Sequence, residues 1–251
     1  MRGAEEPREP GQLLGRRTNI MCTNAPTDPA AHSALQFGID GLPIPRLRGR
    51  IHQASIAPAL AAGVAMTLLA QDVRGSVALA VFTFSIVAML TASAVYHCHT
   101  TSDEAKLLAR RIDHGTIFVA IAGTQTAYWL LSAPDTVAAP IVTIVWLVTL
   151  VGFRHKVRNL TQLDSAGNWL YGVLGWSGVL LIPFLLGGGL VVLSLVLAGG
   201  VAYSVGGVLL HHKAGNVWPG VFGYHETWHA LVMIGVVLHG AGLVALAGVS
   251  V

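Results

Sequence analysis

Charge is scarce in this chain, and that scarcity excludes most soluble folds. Of its 251 residues only 11% are Asp, Glu, Lys or Arg, while 53% are hydrophobic. A soluble domain of this size carries about 25% charged residues, so there is too little charge here to cover a water-facing surface. Aromatic residues are also few, at 7%. The hydrophobicity comes instead from Ala, Val, Leu and Gly, small side chains that let helix backbones approach one another in lipid. Cysteine is nearly absent: Cys22 and Cys98 lie far apart and neither sits in a CxxC pair. That excludes a disulfide framework and a thiolate metal site. No glycine-rich nucleotide motif and no nucleic-acid signature stands out. Residues 1–45 are rich in Pro, Gly, Arg and Glu and contain no apolar run of membrane length. Gln12 to Arg17 is too short and too polar for a signal-peptide core, so the segment reads as a disordered cytoplasmic tail.

Long apolar runs fill residues 46–251. A bilayer core needs about 20 apolar residues of helix, and seven runs of roughly that length fall between polar breaks. They extend over about Ile51–Ala70, Ser76–Tyr96, Asp113–Leu131, Val137–Gly152, Trp169–Leu186, Leu190–Leu210 and Val221–Leu246. Pro58 and Pro183 fall inside runs and are expected to kink those helices. The expected fold is an all-α integral membrane protein, a seven-transmembrane helix bundle in the cell membrane.

The basic residues orient that bundle. With the N-terminus cytoplasmic, the inside segments hold 14 of the 15 Lys and Arg, and only Arg74 lies outside. The inside set is Arg2, Arg8, Arg16, Arg17, Arg46, Arg48 and Arg50, then Lys106, Arg110 and Arg111, then Arg154, Lys156 and Arg158, then Lys213. Losing or adding one helix would scramble this alternation, so the charge split supports both the count and the orientation, with the C-terminus outside. The basic stretch before the first helix suits anionic lipid headgroups, at about 1 kcal/mol per residue near the surface.

Three polar clusters interrupt the apolar pattern. The second run ends in Ser93-Ala-Val-Tyr-His97, with Ser93 and His97 on one helix face at i and i+4. The third opens with Arg111-Ile-Asp113-His114, and the seventh with Tyr224-His225-Glu-Thr-Trp-His229. Imidazoles at i and i+4 can bind one ion from a single helix face, the geometry of the HExxH metalloproteases. One HExxH match is weak support for a protease, and Glu226 points away from both histidines on a helical wheel, as a structural or interfacial acid would. The topology puts His97, Asp113, His225 and His229 at one depth, near the inner boundary. Three imidazoles with water in the fourth position make an open, catalytic-type zinc site. Asp113 then stands as a partner or base toward that water, with a helix cap at the interface as its alternative. Ser93, one turn deeper, faces the same water or a substrate carbonyl. His52, His99, His114, His155, His211, His212 and His239 read as interfacial histidines with satisfied rings. His239 lies roughly 21 Å along the axis from His225, too far to join the three.

An open three-histidine set beside an acid, facing an apolar interior, suits zinc-assisted hydrolysis of a lipid amide reached from the bilayer. A receptor or sensor with structural zinc is the main alternative. A pore ranks lowest, because no chain of polar residues crosses the bilayer, and bis-histidine haem ligation would be marked by a Soret band.

These motifs, with Ile121-Ala-Gly-Thr124, Trp218-Pro-Gly-Val-Phe-Gly-Tyr-His225 and Pro45-Arg-Leu-Arg-Gly-Arg-Ile-His52, resemble the haemolysin III proteins. Those form the bacterial branch of the progestin and adipoQ receptor family, related to adiponectin receptors and more distantly to alkaline ceramidases. The likeness spans roughly residues 43–246. It implies a seven-helix bundle with zinc near the cytoplasmic face, held by His97, His225 and His229. It also implies that Asp113 contacts the zinc-bound water and that Ser93 matches the family's serine. A ceramide-like lipid is the implied substrate. One departure follows Thr124, where Gln125-Thr-Ala127 replaces the more usual Tyr-Thr-Pro and is expected to alter helix packing or cavity shape.

Overall fold

The computed structural model describes residues 44–100, 102–160 and 167–249, so all but the last two residues of the expected tail lie outside it. The regular elements among these residues are helical. They are α1 (Arg50–Leu69), α2 (Val73–Cys98), α3 (Asp103–Ser132), α4 (Asp135–Asn159), α5 (Trp169–Trp176), α6 (Ile182–Leu185), α7 (Gly189–His211) and α8 (Tyr224–Leu246).

Polar residues between the apolar runs set the helix ends. Asp72 caps α2 by accepting from the Gly75 amide at 2.6 Å, and Ser102 caps α3 by accepting from Ala105 at 3.2 Å. Pro134, with φ −61°, stands at the entry to α4 and separates it from α3. The α8 start is held by Glu226, whose Oε2 accepts from the Gly223 amide at 2.9 Å.

Three elements differ from the sequence expectation, the simplest being α4, which runs seven residues past Gly152 to Asn159. The third helix starts ten residues early, at Asp103. Its first turns, Asp103 to Ile112, are charged and amphipathic, which looks like a loop to a search for apolar runs. Asp113 therefore sits well inside α3, about 15 Å from its start, and is no helix cap. The fifth run is not one helix. After α5 the chain passes through a 3₁₀ stretch (Ser177–Leu181), the single turn α6 and a 3₁₀ turn (Leu186–Gly188). Gly175, Gly178 and Pro183 lower helix propensity there, and Pro183 cannot bond the preceding turn. Gly189, at φ +85°, then reverses the chain into α7. Trp176 Nε1 meets Ser204 Oγ at 3.0 Å, which places α5 alongside α7.

By length and composition, five helical stretches can cross a membrane: Arg50–Leu69, Val73–Cys98, Asp135–Asn159, Trp169–His211 and Tyr224–Leu246. The burial pattern is inverted relative to a soluble domain. Leu68, Phe84, Val151, Leu190 and Val191 are all more than two-thirds exposed, a band suited to acyl chains. The packed core lies between α2, α3 and α8, around Leu79, Leu90, Tyr128, Trp129 and Leu243. Sequence neighbours pack most extensively: α1 on α2, α2 on α3, α3 on α4 and α7 on α8. Small residues make that possible, since a Cβ at Gly152 would lie 2.7 Å from Phe118 and one at Gly206 2.7 Å from Trp228.

Candidate metal centre

The C-terminal end of α2 and the N-terminal end of α8 meet at one end of the bundle. Residues just before α1 clamp this junction. The Arg46 and Leu47 amides donate to the Gly220 and Val221 carbonyls at 3.1 and 3.2 Å. Arg48 Nε then reaches Glu226 Oε1 at 2.6 Å. Glu226 is fully buried and spends its other oxygen on the α8 cap, so its two bonds fix the first turn of α8 and with it the direction of His225 and His229.

His97, His225 and His229 converge there, with one ligand atom from each lying within 4.8 Å of the others. His97 Nε2 and His225 Nε2 are 3.2 Å apart. The three rings face one another edge-on, at interplanar angles of 77°, 61° and 65°. A single N–H···N bond can satisfy the His97–His225 pair, but buried His229 Nδ1 has no hydrogen-bond partner. A cluster of imidazole nitrogens, two rings half-buried and one buried with an orphan nitrogen, is what a shared cation would resolve. The three histidines could hold a metal ion.

Ser93 and Asp113 line the same cavity as the three histidines. Both are buried, and the Ser93 hydroxyl lies within hydrogen-bonding reach of the Asp113 carboxyl. His114, next in sequence, lines the same cavity; its Nδ1 bonds the Arg110 carbonyl at 2.9 Å and lies 3.6 Å from Asp113 Oδ2.

Three neighbours were not identified as site residues from the sequence. His52, expected at the interface, is buried; its ring stacks on His229 with centroids 3.9 Å apart, and its Nδ1 lies 2.9 Å from Ser93 Oγ. The signal was available, because His52 is the third residue of α1 and α1 starts at the depth where α2 ends. Arg110 is buried against Tyr96 and Asp113, and Arg48 holds Glu226 as described. Arg110 carries no sequence signal beyond its part in the charge split, and Arg48 only its place in the Pro45–His52 stretch. His239 is likewise buried, and it lines the far part of the cavity. Gln125, at the departure noted above, donates from Nε2 to the Leu174 carbonyl and to Ser177 Oγ. It thereby satisfies a carbonyl freed where α5 breaks into the 3₁₀ stretch.

A family model described as haemolysin-III related matches residues 42–240 of the chain. The chain belongs to this haemolysin III family. A hemolysin-3 homolog of Bacillus subtilis (strain 168) is 29% identical over 163 residues, covering 63% of this chain and 72% of the relative. Hemolysin-3 of Bacillus cereus is 30% identical over 128 residues, 49% of this chain and 54% of that protein. Family membership and the membrane-length apolar helices together make the chain a multi-pass membrane protein. In this haemolysin III protein the matched region takes in all five residues singled out in the sequence.

Proposed function

We propose that this haemolysin III protein holds zinc through His97, His225 and His229 and hydrolyses an amide bond in a ceramide-like lipid that enters from the bilayer. The observation carrying this reading is the position of the trio. It lies in a cavity of about 1280 Å³, with Asp113 and Ser93 beside it and apolar side chains such as Ile86, Met89 and Val196 farther along. The donor chemistry suits zinc: three imidazoles, each with one ring nitrogen within 4.8 Å of the others, are ligands that zinc takes. When bound, zinc supplies Lewis acidity toward a carbonyl and toward water.

The chain's own residues supply the proton transfers. Asp113 accepts a proton from the attacking water and returns it to the amine as the C–N bond breaks, leaving a fatty acid and a free amine. His52 Nδ1, 2.9 Å from Ser93 Oγ, orients the serine hydroxyl. Its hydrogen bonds the Asp113 carboxylate and turns to the carbonyl oxygen once Asp113 has taken the proton of water and charge develops there. Arg110, buried beside Tyr96 and Asp113, holds the carboxylate in place.

Seven crossings with the N-terminus inside and the C-terminus outside belong to the same proposal. Trp169–His211 has 43 residues, about 65 Å of helix against a core of about 30 Å, and α5 lies beside α7, so this stretch counts as two crossings. The 30-residue α3, despite its charged start, packs between α2 and α4 and counts as another. The first experiment is metal analysis by mass spectrometry of detergent-purified protein, wild type beside a His225→Ala/His229→Ala double variant, followed by a ceramide hydrolysis assay. One zinc per wild-type chain, lost in the variant, together with hydrolysis supports the reading; a metal-free wild type ends it.

A receptor with structural zinc is favoured by one observation: the trio joins α2 to α8, helices from opposite ends of the chain. Zinc without hydrolysis of any lipid amide, and strong destabilisation on chelation, would select that reading.

A further inference from the structure

The cavity carrying the three histidines continues along α8. It reaches His239, ten residues beyond His229 and so about 15 Å farther along the helix axis, where Tyr128, Tyr203 and Gln125 join its wall. His239 donates from Nδ1 to the Gly235 carbonyl at 2.8 Å. That bond fixes the neutral tautomer, with the proton on Nδ1 and a bare acceptor lone pair on Nε2. The imidazole is nine-tenths buried, and Nε2 has no partner among the described residues. The Tyr203 ring stacks on His239 at 5.5 Å and 22°. Its hydroxyl is likewise without a bonded neighbour, whereas the Tyr128 hydroxyl is occupied by the His239 carbonyl at 2.8 Å.

Both rings are seated by space that glycines leave. A Cβ at Gly199 would stand 2.3 Å from His239 Nδ1, and one at Gly235 would stand 2.5 Å from the Tyr203 ring. This far end therefore presents one fixed acceptor and one hydroxyl beside Val196 and Val232, while Gln125 and Tyr128 in the same wall are bonded within the bundle.

We propose that His239 and Tyr203 form a distal recognition site that takes a hydroxyl group carried on the hydrocarbon chain of the bound lipid. The inference rests on the reading above, in which the cavity receives an acyl chain whose polar head lies at the histidine trio. A chain hydroxyl donates to His239 Nε2 and accepts from the Tyr203 O–H, so both groups are satisfied. An unsubstituted chain displaces their water and returns nothing, and a site built to bond a hydroxyl discriminates against the analogue that lacks it. An extended chain covers the roughly 15 Å in about a dozen carbons. The ligand class is thus a lipid acylated with a mid-chain hydroxy fatty acid.

The test uses the full chain in nanodiscs and measures binding of octadecanoic acid and 12-hydroxyoctadecanoic acid by competition against a radiolabelled fatty acid. The expected wild-type result is about five- to tenfold tighter binding of the hydroxy acid. His239→Phe and Tyr203→Phe should each reduce that preference to within about twofold, because the hydroxy acid loses a bond and octadecanoic acid no longer strips water from the lost polar group. Tyr203→Phe removes one oxygen and keeps the ring on Gly235, so it reports even where the His239 variant does not fold. Equal wild-type affinities for the two acids would overturn the distal site and leave the acyl-cavity reading standing, as would a preference that survives in both variants. If neither acid binds, the acyl-cavity reading fails and the distal site fails with it.

Discussion

Asp113 and Glu226 are both buried acids at the junction of α2, α3 and α8, yet their partners assign them different work. Glu226 has both oxygens bonded, one to Arg48 at 2.6 Å and one to the Gly223 amide at 2.9 Å, so its partners tie it to the seam and the α8 cap. Asp113 faces Ser93 and the cavity. The two carboxylates should therefore fail differently on mutation. Asp113→Asn is expected to keep one zinc per chain and lose about 10²–10⁴ in hydrolysis rate, the range typical of a removed general base; paired metal analysis and turnover assays check it. Arg48→Met leaves a fully buried carboxylate without its cation. It is expected to cost about 3–5 kcal/mol, read as a lower midpoint in thermal denaturation in detergent, with Glu226→Gln milder because the amide oxygen can still accept from Gly223.

At the scale of elements, Gly49 decides how closely the start of α1 meets the end of α2. It stands at φ +75°, and a Cβ there would lie 2.4 Å from the His97 Cβ, a backbone-proximal atom that cannot swing aside. Gly49→Ala therefore combines left-handed strain of about 1–2 kcal/mol with a push on a ligand residue. Gly63, fourteen residues on and about 21 Å away, makes a similar close approach to Thr83 but touches no site residue. Both alanine variants are expected to melt earlier, and only Gly49→Ala to lose metal, a contrast that thermal melts beside metal analysis would show. The helices themselves were legible where their runs were largely apolar, as for α2 and α8. The start of α3 was not, because Asp103 to Ile112 is an amphipathic turn whose helical state depends on the Ser102 cap and on packing against neighbours. The broken α5–α6 segment was not legible either, because composition alone does not distinguish a kinked helix from a 3₁₀ stretch closed by Gln125. Within the site, the trio was readable from i, i+4 spacing combined with the inside–outside alternation of Lys and Arg. His52 was missed because its meaning lies in a stack against His229, a contact between opposite ends of the chain that no local spacing encodes.

The whole bundle is built largely from sequence-adjacent pairs, with α1 through α4 packed in order and α7 packed on α8. Closing it brings α8 back to α1, α2 and α3, where the backbones approach less closely than in those pairs and large side chains such as Tyr128 and Leu243 fill the shared core. At this end of the seam, closure rests on the Arg46 and Leu47 backbone bonds, the Arg48–Glu226 pair and the histidine trio. A metal ion shared by His97, His225 and His229 would bind only the closed form, so its binding energy adds to the stability of closure. At a free concentration about 1,000 times its dissociation constant that is about 4 kcal/mol, on the order of 10 °C in midpoint for a chain of this length. Chelation is therefore expected to lower the melting midpoint by roughly that amount in wild type and to leave His225→Ala/His229→Ala unchanged. Gly63→Ala, which loosens α1 on α2 away from the seam, should keep the full chelation shift on a lower baseline. A wild-type midpoint that does not move when metal is demonstrably removed would mean that the protein–protein bonds alone close the bundle. The ion would then serve chemistry only, and the receptor reading would lose its one supporting observation.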